Sequence, residues 1–79
     1  MAKHRPLHLI AREIRTDWIK VNYAAKPYLD AMRSLQDIDD MYFADDARSV
    51  VLYFLSNAAT WRGDTAKRIK AELKDMLKA

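Results

Sequence analysis

Apolar residues recur at helical spacing in four separate stretches. Leu7, Ile10, Ile14, Trp18 and Val21 share one face of a helix over about 6–20, with Arg12, Glu13, Arg15 and Asp17 mostly off it. Tyr28, Leu29, Met32 and Leu35 mark the apolar face of a shorter helix over about 27–35. Ala47, Val50, Val51, Phe54, Leu55 and Ala58 predict a third helix over about 46–60. Leu52 and Tyr53 widen its apolar surface, so the third helix is expected to be the one the others pack around. Ala66, Ile69, Leu73, Met76 and Leu77 predict a fourth over about 64–78. The fold class is therefore all-α: a compact bundle of three long amphipathic helices plus one short one.

The punctuation between these stretches agrees. Pro6 and Pro27 suit first helical turns, where the missing N–H costs nothing. Asp45 or Asp46 can cap the third helix and Asp64 or Thr65 the fourth, while Gly63 fits the left-handed residue that ends many helices. Residues 36–44 are the least regular. There Ile38, Met41, Tyr42 and Phe43 are expected to tuck onto the core while carboxylates face water. Residues 1–5 are polar and expected to fray.

Composition narrows the class further. The 79 residues make one domain, 1–79, with a single Gly, two Pro and no cysteine. A chain this small buries only about 60% of its unfolded surface and has no disulfide to help it. No apolar run follows the basic start, and Val50 to Leu55 is too short to span a bilayer, so a cytoplasmic protein without membrane contact is expected. The net charge of +3 is segregated. Residues 1–26 carry six basic and two acidic groups, residues 27–46 one basic and six acidic, and residues 47–79 seven basic and three acidic. The chain reads basic, acidic, basic.

Three segments read together carry a resemblance. They are Ala11-Arg-Glu-Ile-Arg-Thr-Asp-Trp18, Ala25-Lys-Pro-Tyr-Leu-Asp-Ala-Met32, and the run from Leu55-Ser-Asn-Ala-Ala-Thr-Trp61 to Leu73. The chain resembles a group of small uncharacterised helical proteins of phages and mobile elements of Gram-positive bacteria. That resemblance implies an accessory role in a bacterial cytoplasm and brings no catalytic or binding residues with it.

Two surfaces are candidates for function. The first is the acidic, aromatic segment 37–46, in which Asp37, Asp39 and Asp40 would steer a basic protein partner and Tyr42 and Phe43 would anchor it. The second is the C-terminal helix. Lys67, Lys70, Lys74 and Lys78 fall on one side of that helix and, with Arg62, could track nucleic-acid phosphates. Ala59, Gly63 and Ile69 stand at helix-turn-helix spacing, although Arg62, Asp64 and Glu72 occupy positions that are usually apolar, and an ordinary helical hairpin has the same pattern. Arg68 is expected to pair with Asp64 and Glu72 four residues away on either side.

Catalysis is not expected. His4 and His8 have no further ligand nearby except Glu13, Ser34, Ser49 and Ser56 lack a base, and no Gly-rich phosphate loop is present. An EF-hand starting at Asp37 would need oxygen ligands at 41 and 48 and Gly at 42, where Met41, Arg48 and Tyr42 stand. No cofactor or metal is expected. Arg62-Gly63-Asp64 reads as a turn, stop and cap. A non-enzymatic protein-binding domain is the leading expectation, nucleic-acid binding the alternative, and self-association a natural way for so small a core to gain stability.

Overall fold

The computed structural model describes residues 5–42 and 45–78, and for Tyr42 and Asp45 the backbone only. It has four helices: α1 (Leu7–Asp17), α2 (Lys26–Met32), α3 (Ala47–Ser56) and α4 (Asp64–Lys78). The Cα radius of gyration is 11.3 Å, close to the roughly 12 Å that a globular domain of this length has. Between α2 and α3, β1 (Met41–Tyr42) pairs antiparallel with β2 (Asp45–Asp46), Met41 opposite Asp46 and Tyr42 opposite Asp45. Two-residue strands form no layer of their own, so the class is all-α.

Each helix ends for a local reason. The N-terminus of α1 has no side-chain cap. Instead its free N–H groups are taken by the segment that follows α2: Leu7 N donates to Gln36 O (2.8 Å) and His8 N to Leu35 O (2.9 Å). The helix stops at Asp17, three residues short of expectation, because Trp18 leaves helical geometry (φ −96°, ψ 86°) and folds inward, with Ile19 left 86% exposed. Asn22 then sets the turn into α2. Its carbonyl accepts from Ala25 N and Lys26 N, and its Oδ1 accepts from Ala24 N. Past Met32, three successive i→i−3 bonds from Arg33, Ser34 and Leu35 tighten the chain into a short 3₁₀-like end.

The expected stop at Gly63 is corrected. The third helix ends at Ser56, seven residues earlier, where Ser56 Oγ and Asn57 Nδ2 donate back to the carbonyls of Leu52 (3.0 Å) and Tyr53 (2.8 Å). Gly63, at φ 114°, opens α4 instead, and its carbonyl accepts from Lys67 N at 3.0 Å. Of the two expected caps for α3, Asp46 serves: its Oδ1 accepts from Ser49 N at 2.8 Å.

The helices form a closed ring in which α1 meets α2, α2 meets α3, α3 meets α4 and α4 returns to α1, the α2–α3 contact being the most extensive. Every expected core position of the four apolar faces is buried or half-buried. The third helix is one wall of the ring rather than its axis, since Leu52 and Tyr53 are about half exposed. Tyr53 instead meets Tyr28 of α2 at the surface, ring centroids 5.4 Å apart.

An aromatic cluster joins the α1 end, α3 and the 57–63 link. Trp18 and Trp61 stack at 5.7 Å with planes 11° apart, and Phe54 meets both edge-on at 6.2 and 6.3 Å. The Trp61 indole N–H donates to Asp17 Oδ2 at 2.8 Å, so the buried ring keeps its polar atom satisfied.

A second tie corrects the expectation of fraying at residue 5. Arg5 donates twice to Glu72 (3.0 and 2.8 Å) and once to Glu13 (2.8 Å). Arg68 pairs with Glu13 too, and not within its own helix as its spacing suggested. These bonds raise the Arg5 guanidinium above its usual range and, led by Arg5 itself, hold the Glu13 carboxyl below the carboxylate range.

Candidate functional site

The acidic segment uses most of its carboxylates to build itself. Asp40 Oδ2 accepts from the backbone N–H groups of Gln36 (3.0 Å) and Asp37 (3.1 Å), closing a tight turn, and those bonds hold its carboxyl below the usual range. Asp39 accepts from Arg48 Nη2 at 3.2 Å, while Arg48 Nη1 donates to the Leu77 carbonyl, which ties the segment to both α3 and α4. Asp46 caps α3, and its bonds with Ser49 lower its carboxyl likewise. Asp37 is exposed. Phe43 and the Tyr42 side chain lie outside the described residues. The exposed apolar residue of this segment that the structure does describe is Met41, 62% exposed.

The lysine row on α4 divides in two. Lys67, Lys74 and Lys78 are exposed, as is Arg62 in the preceding link, and none meets a carboxylate among the described residues. Lys70 is different. Its ammonium donates to the Trp61 carbonyl at 2.6 Å and lies 5.8 Å from the centre of the Trp61 ring. Burial, then the nearby Lys74 and Arg62, push the Lys70 ammonium below the usual lysine range. Lys70 thus holds the 57–63 link against α4 and leaves the row of outward cations.

The hairpin does not have helix-turn-helix geometry. Seven residues, 57–63, separate α3 from α4, and Ala59 lies in that link, not on the supporting helix where the motif needs it. What the face can do is lay a cationic helix along a phosphate backbone. Residues 67 to 78 rise about 16 Å along the axis, against one duplex charge per roughly 1.7 Å.

A third group of side chains was not singled out by the sequence pattern: His8, Arg12, Arg15, Thr16 and Arg33 line one groove. The spacing of His8, Arg12 and Thr16, four apart, put them on one side of the first helix. Nothing in the sequence brought Arg33 to them.

Comparison with protein-family models, with curated proteins and with solved structures finds no match for this chain. No helix among the described residues is long and apolar enough to cross a membrane.

Proposed function

We propose that the chain is a non-enzymatic binding domain whose ligand is nucleic acid, held through its phosphates by Arg62, Lys67, Lys74 and Lys78. The observation that carries this reading is a contrast. These four cations project without carboxylate partners among the described residues, while Asp39, Asp40 and Asp46 of the acidic segment are engaged by Arg48, by backbone N–H groups and by a helix start. Lysine offers a point charge and no bidentate fork for base edges, so the binding is of low sequence specificity. The accessory role in a phage or mobile element implied by the resemblance suits a small protein of this kind.

Fluorescence anisotropy with mixed-sequence duplex DNA tests it. Neutralising about four phosphates gives an affinity that falls on the order of a hundredfold between 50 and 200 mM salt. The Lys67→Glu, Lys74→Glu, Lys78→Glu triple variant abolishes binding. Affinity indifferent to salt, or unchanged in that variant, overturns the proposal.

A protein partner at 37–46 is the second reading, favoured by the exposure of Met41 beside Asp37 and Asp39. Charge reversal of Asp37, Asp39 and Asp40 to Lys abolishes such binding, and a partner still captured by that variant removes it.

A further inference from the structure

An open groove of about 380 Å³ runs between α1 and the C-terminal end of α2, lined by His8, Arg12, Arg15, Thr16 and Arg33. On α1 these residues lie on the outward side of the helix, where Arg15 reaches Asp30 of α2, and Arg33 is the C-cap residue of α2. Among the described residues one carboxylate, Asp30, meets two of the three guanidiniums. Asp30 Oδ1 accepts from Arg15 Nη1 at 3.3 Å and lies 4.0 Å from Arg33 Nη1. The Arg12 side chain has no hydrogen bond or ion pair among the described residues. Three guanidiniums against one carboxylate leave a charge of +2 from these four groups. Thr16 Oγ1 gives its proton to the Arg12 carbonyl at 3.0 Å, so the guanidiniums and the His8 ring are the donors the groove presents.

We infer that this groove binds a phosphate group, and specifically the dianion of a phosphomonoester. Guanidinium forks match phosphate oxygens bidentately, and a convergent set of them is the usual means of holding such a group. The local +2 equals the charge of a phosphomonoester at neutral pH more nearly than that of a singly charged phosphodiester. The site is separate from the α4 face: Arg68 pairs with Glu13 of α1 and Glu72 with Arg5, and Lys67, Lys74 and Lys78 lie further round α4. It therefore stands or falls independently of the nucleic-acid proposal.

The test is an amide NMR titration of the full chain at constant ionic strength, with inorganic phosphate, phenyl phosphate and dimethyl phosphate as probes. Phosphate and phenyl phosphate produce saturable shifts at His8, Arg12, Thr16 and Arg33, and dimethyl phosphate binds about tenfold more weakly. Arg12→Gln and Arg33→Gln each weaken phosphate about tenfold. Arg12 is exposed and has no partner among the described residues, so its variant keeps the fold, which the Trp18–Trp61 signal in near-ultraviolet circular dichroism reports. The Lys67→Glu, Lys74→Glu, Lys78→Glu variant titrates like the parent. Absence of saturable shifts, or unchanged binding in both arginine variants, overturns the assignment. Equal affinity for dimethyl phosphate, or displacement by duplex DNA in the lysine variant, overturns the monoester in favour of a nucleic-acid backbone.

Discussion

Lys70 and Lys74 stand one helical turn apart on α4 and do different work. Lys70 satisfies the Trp61 carbonyl, whereas Lys74 is exposed. Lys70→Gln is therefore expected to lower stability by about 1 kcal/mol while DNA affinity stays within about twofold. Lys74→Gln does the reverse, weakening DNA and leaving the urea midpoint in place. Because the folded Lys70 has the lower affinity for its proton, its contribution to stability improves as pH rises from the folded to the unfolded lysine value. The carboxylates of Glu13, Asp40 and Asp46 set the acid limb. Each is held below its ordinary value by hydrogen bonds, so its contribution is complete above the unfolded carboxylate range, about pH 4, and is lost as pH falls through the folded value. Urea titrations at pH 7 and pH 3 should show the midpoint falling with acid. A midpoint independent of pH would show those bonds to be energetically idle.

At the scale of the element, the link 57–63 sets the angle at which α4 leaves α3, and Gly63 is its hinge point. An added Cβ would meet nothing within 4 Å, so Gly63→Ala tests backbone conformation alone. Its cost is expected at about 1–2 kcal/mol, read as a shift in the urea midpoint. The apolar periodicity made all four helices legible, because burial demands one continuous face and each stretch supplies one. Their ends were less legible. Ser56 and Asn57 interrupt the third face, but their role as a stop depends on side chains bonding back to the helix, a choice that serine and asparagine leave open in sequence. Trp18 fits the first face by spacing, yet its place is decided by Trp61, 43 residues on, which periodicity cannot register. The same holds for the candidate sites. Helical arc puts the α4 lysines on one side of the helix, but only the fold shows that Lys70 meets a carbonyl and that Arg33 arrives beside Arg12 and Arg15.

At the scale of the whole molecule, the core is a ring of four helices sealed by three aromatic rings at one corner. Trp61→Ala removes one of three rings that each touch the other two, and a loss of about 3–5 kcal/mol is a large share of what a domain of this size has. Loss of cooperative unfolding in urea is the expected outcome, and a well-folded variant with an unchanged midpoint would contradict the cluster's role. The tie from Arg5 to Glu72 spans 67 positions and fastens the last side of the ring. Its meaning is kinetic. The α2–α3 pair is adjacent in sequence and shares the widest contact, so it can assemble early, whereas the Arg5 tie requires almost the entire chain to be in place. A bond made that late belongs to the exit barrier and not to the entry barrier. In stopped-flow chevrons, Arg5→Gln should leave the refolding limb where it is and speed unfolding by up to about fivefold, so that residue 5 governs how long the closed ring survives rather than how fast it forms.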